Sequence, residues 1–204
     1  METNTMLIIA FVVILIVGLI LLIRIPIRIY NKLVELRNMF KNAFAQIDVQ
    51  LKRRYDIVPN LVETTKAYLK HESGTLEAVI KARNQAQQLE SRVAEDPGNA
   101  DLMKKFAGAE SQLSGALGRL FAISESYPEL KANQNVMQLF DELTVIEQHI
   151  ASARALFNNA VTTYNIGREI FPNIILANIM GFAPAELFEI TNEEEREAPR
   201  VQFS

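Results

Sequence analysis

YNKLVELRNMFKNAFAQIDVQLKRRYDIVPNLVETTKAYLK, residues 30–70, carries one apolar stripe from end to end. Leu33, Arg37, Phe40, Phe44, Ile47, Leu51, Tyr55, Val58, Val62, Thr65 and Leu69 fall at steps of three and four. That is the period of a long amphipathic helix, and the spacing predicts one over about 27–70. Pro59 lies inside it. An interior proline removes one backbone hydrogen bond and clashes with the preceding turn at Tyr55, so the helix either kinks or restarts with Asp56 as a cap. The stripe keeps its phase across Pro59, which favours the kink.

Upstream, Met6–Ile23 reads MLIIAFVVILIVGLILLI, without a charge. At ~1.5 Å per residue it covers roughly 27 Å, close to the hydrocarbon thickness of a bilayer. A cleaved signal peptide would need a basic start and a small-residue cleavage site. Here the start is METNT and the run is followed by Arg24, Pro26 and Arg28. We therefore expect a short exposed N-terminus at 1–5 and an uncleaved membrane helix at 6–24. Arg24, Arg28, Lys32 and Arg37 all lie on the C-terminal side. The positive-inside rule then puts the N-terminus outside and the rest of the chain in the cytoplasm.

Downstream, Ser73–Gly74 breaks the pattern, and a second helix to about Val93 turns Leu76, Val79, Ile80, Ala86, Leu89 and Val93 inward. EDPGN at 95–99 is a turn. A third helix, about 100–126, holds Gly108, Gly115 and Gly118, each costing ~1 kcal/mol against Ala unless it allows close packing. A fourth, about 131–168, has the cleanest stripe, from Val136 to Tyr164. The expected fold is all-α: a membrane helix, then a long antiparallel up-and-down bundle of about four helices at 25–170. Summed helix lengths return the chain to within roughly 20 Å of the membrane at Phe171. The apolar segment 173–190 should then lie near the bilayer, either plugging the base of the bundle or dipping into the interface. Residues 191–204 read as a charged, mobile tail.

Acidic and basic residues nearly balance at a formal charge of −3, so the net charge carries no nucleic-acid footprint. Without Cys there is no thiol nucleophile or thiolate metal site. The two histidines, His71 and His149, stand apart, and Glu147–His149 is spaced so that the side chains diverge. No constellation asks for an enzyme, a cofactor, a metal or a small-molecule substrate. The first helix offers something else. Lys41, Asp48, Lys52, Asp56, Glu63, Lys66 and Lys70 gather on one side, opposite the apolar stripe. Between them runs a line of Asn42, Gln46, Val49, Gln50, Arg53, Ile57, Asn60 and Thr64. It reads either as bundle boundary or as a contact face for another subunit, where amides bond without burying full charges.

The stretches YNKLVELRN (30–38), AFAQIDVQLKRRYDIVPNLVETTKAYLKHE (43–72), KARNQA (81–86) and YNIGREIFPNIILANIMGFAPAELFE (164–189) resemble the LemA family. That resemblance covers nearly the whole chain and implies a bacterial, inner-membrane, all-helical protein with no established enzymatic activity. It implies no catalytic residue. The expected role is a non-catalytic scaffold or adaptor, acting through self-association or a membrane-protein partner. The alternative is a regulatory subunit of a membrane enzyme such as a protease, which fits the family's association with membrane metalloproteases. A stand-alone hydrolase or metal enzyme ranks last.

Overall fold

The computed structural model describes residues 2–189, with side chains from Met6 onward except Ile8. The charged stretch expected at 191–204 lies outside the described residues. Six helices follow one another: α1 Glu2–Lys66, α2 Ser73–Glu95, α3 Ala100–Ser124, α4 Pro128–Ala132, α5 Gln134–Glu169 and α6 Asn173–Ile179. Among the described residues there is no strand.

The membrane span and the first bundle helix, read from the sequence as neighbours, are one uninterrupted helix. Its N-terminal part is apolar on every side, and the side chains described from Met6 to Ile23 are exposed. A core helix would be covered by protein, so this stretch is a helix long and apolar enough to cross a membrane, with lipid as its fitting surroundings. Burial begins at Ile29. From there Leu33, Leu36, Phe40, Phe44, Ile47, Leu51, Tyr55, Val58 and Leu61 point into the bundle.

The helix neither ends nor restarts at Pro59, and Asp56 lies inside it. The tertiary reason is specific. Proline has no N–H to give to the carbonyl four residues back, which leaves the Tyr55 oxygen bare. Arg83 Nε, from α2, donates to that oxygen at 2.9 Å. A buried carbonyl left without a partner would cost about 1–3 kcal/mol. The guanidinium replaces the missing intrahelical bond, and burial of Tyr55, Val58, Leu61 and Val62 holds both halves in line.

Other boundaries move by a few residues. α1 stops at Lys66, and the turn occupies 67–72, so Ser73 and Gly74 open α2 instead of breaking the chain. Leu69 stays buried in that turn, and the Tyr68 hydroxyl accepts from Asn133 Nδ2 at 2.7 Å. Asn133 also caps α5, its Oδ1 accepting from the N–H groups of Asn135 and Val136 at 3.0 and 3.3 Å. The helix expected from 131 therefore begins at 134, after the single-turn α4 with Pro128 in its first turn.

α1 and α5 lie antiparallel, α2 returns along α1, and α3 runs beside α2, giving the up-and-down order. In the membrane-near half, Phe40, Phe44, Phe106, Phe157 and Tyr164 meet edge-on, with ring centres 5.1–6.3 Å apart. α5 approaches the base of α1 closely at Gly167, where a Cβ would sit 2.6 Å from Leu36 Cδ1 and displace the end of that side chain. Gly108, Gly115 and Gly118 serve no such purpose within the chain, since nothing lies within 4 Å of where their Cβ atoms would be.

The C-terminal apolar segment divides. Ala177 of α6 is buried against the bundle, and α6 ends at Ile179, two residues before Gly181. There a φ of 74° lets the Phe182 N–H reach the Ala177 carbonyl at 2.9 Å. Residues 182–189 then turn away from the base and run extended along α5. Asn165 exchanges two hydrogen bonds with the backbone of Ala185 (2.8 and 3.0 Å), and Asn158 does the same with Phe188 (3.2 and 2.8 Å). The match is geometric: two helical turns and three extended residues both span about 10 Å. Phe182, Ala185 and Phe188 are buried, with Phe188 against Phe106 at 5.0 Å. The segment expected as one apolar piece is thus two, a short helix at the base of the bundle and a strap hydrogen-bonded along α5.

Candidate interaction face and the buried charges behind it

α2 and α5 cover α1 on its inner sides and leave the outer one bare. Of the line read from the sequence, Asn42, Gln46, Val49, Arg53 and Asn60 are exposed. Val49 shows 50% of its surface, unusual for valine on a helix that buries so many others. Gln50 and Thr64 are half-buried, and Ile57 is buried at 7% exposure, so the strip is uncovered along its centre and closes along one edge. Thr64 spends its hydroxyl within the helix, donating to the Asn60 carbonyl at 2.7 Å. Gln50 Oε1 is buried without a hydrogen-bond partner.

Two ionic clusters lie behind this face. Arg54 is fully buried. Its Nη2 binds Glu110 of α3, its Nη1 binds Glu147 Oε1 of α5 at 3.0 Å, and its guanidinium lies 5.6 Å from the centre of the Tyr55 ring. The Tyr55 hydroxyl donates to Glu110 Oε1 at 2.5 Å, while Arg54 Nε has no hydrogen-bond partner among the described residues. Burial works against the guanidinium charge, but Glu110 and Glu147 outweigh it and hold Arg54 protonated more firmly than usual. Burial, and then the Glu110 charge, push the Tyr55 hydroxyl upward. Arg54 and Glu110 have no solvent exposure, Glu147 is partly exposed, and together they tie α1, α3 and α5 to one another.

The second cluster lies between α1 and α2. Lys52 Nζ donates to Asp48 Oδ2 at 2.6 Å and sits 4.0 Å from Glu90 Oε1. Glu90 is buried, and burial together with the hydrogen bond it shares with Asp48 pushes its carboxyl up to about 8. Burial alone would raise Asp48 too. Hydrogen bonds with Glu90 and Lys52 outweigh it and hold Asp48 below the usual carboxylate range. Asp48, placed by the sequence on the solvated charged side, is thus half-buried on α2. His71 and His149 are both exposed, and among the described residues no group of three His, Cys, Asp or Glu could hold a metal ion.

The segments quoted for the resemblance supply part of this arrangement: 43–72 gives Asp48, Lys52, Arg54, Tyr55 and all of the face but Asn42, and 81–86 gives Arg83, while Glu90, Glu110 and Glu147 lie outside them. The sequence profile of the LemA family matches residues 43–203, more than three quarters of the chain. The chain belongs to the LemA family. Among its relatives, Magnetosome protein MamQ of Magnetospirillum gryphiswaldense is 29% identical over 175 residues, covering 78% of this chain and 64% of MamQ. Protein LemA of Metamycoplasma hominis is 25% identical over 136 residues, covering 66% of this chain and 57% of that protein. The LemA-family chain therefore spans less than two thirds of the length of these relatives. With its lipid-fitting N-terminal helix, it is a membrane protein of that family.

Proposed function

We infer that this LemA-family protein is a single-pass membrane protein whose cytoplasmic bundle acts as a non-catalytic scaffold or adaptor. It would hold a second copy, or another membrane protein, through the uncovered face of α1. The observation supporting this reading is the exposure of Asn42, Gln46, Val49, Arg53 and Asn60 on a side of α1 that neither α2 nor α5 covers. Amide groups can bond across an interface at a lower desolvation cost than full charges, and Val49 adds apolar area at the centre.

Gln46→Glu with Asn60→Glu places two carboxylates where a partner would exclude water. An unpaired ion withdrawn from water costs several kcal/mol, so the double variant should lose its assembly in mild detergent while keeping its helix content. Unchanged native mass and unchanged co-purifying proteins would leave the face a solvated boundary. Mass spectrometry of the co-purified material separates self-association from capture of a membrane enzyme that the bundle regulates. Orientation rests on the basic residues Arg24, Arg28, Lys32 and Arg37 following the span. Protease added to intact cells should leave the bundle untouched; its digestion from outside would reverse the topology.

A further inference from the structure

Six large apolar side chains crowd residues 170–180 and remain uncovered: Ile170 (51% exposed), Phe171 (80%), Ile174 (38%), Ile175 (52%), Ile179 (75%) and Met180 (38%). No charged residue occurs between them. The opposite side of α6 is settled in the bundle through Ala177 and Leu176. The seven-residue helix is therefore apolar on its outer as well as its inner side. At ~1.5 Å per residue it is far too short to span a bilayer.

Its place in the fold identifies what covers it. Asn173, at the start of α6, lines the same cleft as Arg28, Ile29 and Lys32 of α1. Just beyond α6, Phe182 meets Tyr30 edge-on at 5.6 Å and lies 5.1 Å from the Arg37 guanidinium. Ile29 is where α1 changes from apolar on every side to striped. The uncovered face of α6 is thus continuous with the end of the span, within a turn or two of α1. Arg28, in that cleft, and Arg24, one turn nearer the span, are exposed and suit lipid phosphates.

We propose that the outward face of α6 is a second membrane contact, embedded at the headgroup–acyl boundary of the leaflet that α1 leaves toward the bundle. The occupant is lipid. A short apolar helix lying in the interface and flanked by basic residues is stable there, whereas the same face in water would be an exposed patch. The bundle then stands on two points, the span and this foot. The proposal rests on the membrane-spanning reading of α1.

The chain has no cysteine, so single cysteines can be introduced into the full-length protein without removing any. Ile175→Cys, Leu19→Cys and Val145→Cys are each labelled with bimane and reconstituted into vesicles of phosphatidylcholine and phosphatidylglycerol. Quenching is read with aqueous iodide and with shallow and deep doxyl lipids. The label at 175 should be quenched by the shallow lipid and be several-fold less open to iodide than the label at 145, with deep quenching confined to 19. Adding Phe171→Asp and Ile179→Asp, both at exposed positions, should return label 175 to water with helix content unchanged. Iodide access at 175 with lipid quenching at 19 overturns the foot and leaves the span standing. Protection of 175 from both quencher types means a protein surface covers α6, and also overturns it. Absence of lipid quenching at 19 overturns the span, and the foot with it.

Discussion

Arg54→Met should lower the unfolding free energy of the full chain in detergent by about 3–5 kcal/mol. The substitution keeps the length and apolar contacts of the side chain but removes the cation bound to Glu110 and Glu147. Glu110 is then a carboxylate with no exposure and only the Tyr55 hydroxyl for company. Leaving one partner of a buried pair uncompensated is the costly case; replacing both is not. The double variant Arg54→Met with Glu110→Leu should therefore recover most of the loss. Denaturant melts followed by far-UV circular dichroism give both numbers. A single-variant loss below about 1 kcal/mol, in the range of a surface pair, would show that the network contributes nothing to register.

The second large effect depends on pH. Glu90 binds its proton up to about pH 8 in the folded bundle, against an ordinary value of 4.5. A carboxyl with a raised folded pKa contributes stability that is complete below 4.5 and lost as pH rises toward 8. The groups facing it are Asp48 and Lys52 of α1 and Glu110 of α3. Asp48 is held low, so its own contribution is lost only on acidification below this window, and Lys52, raised, loses its contribution only above it. The wild-type protein should consequently lose stability, on the order of several kcal/mol, between about pH 5 and pH 9. Glu90→Gln removes the titration but keeps an amide that can bond Asp48, so its profile should be nearly flat and should cross above wild type toward pH 9. Parallel profiles for the two proteins would place the titrating group elsewhere.

Both clusters were written in the sequence in a form that stripe-reading passes over. Met103, Phe106, Glu110, Leu113, Leu117 and Leu120 fall at steps of three and four, as do Leu76, Val79, Arg83, Ala86, Glu90 and Val93. One charged residue in the first series, Glu110, and two in the second, Arg83 and Glu90, occupy seam positions between buried neighbours. On α1, Arg54 stands likewise between Leu51 and Val58. Periodicity alone finds the helices and their inner faces, which is why the bundle was legible. Which buried charge meets which depends on how helices distant in the chain align, and that has no local signal. The polar strip of α1 was legible as composition, but the closing of its edge at Ile57 needed the packed structure. The C-terminal segment reads as uniformly apolar in one dimension. Its division into an outward helix and an inward strap follows from the spacing of Asn158 and Asn165, recognisable as a ladder only once an extended chain lies beside them.

Because α1 is unbroken from Glu2 to Lys66, the orientation of the span and that of the bundle are not independent variables. From Ile29 to Lys66 the helix forms an arm of about 55 Å. Tilting a transmembrane helix by about 10°, a change within the range that differences in bilayer thickness impose, swings the far end of such an arm sideways by roughly 10 Å. The cleft between α1 and α2 at that end, about 860 Å³ and lined by Pro59, Val62, Leu69 and Leu76, travels with it. Bilayer thickness is in this way converted into lateral position of the bundle's far end, with leverage set by the length of one helix.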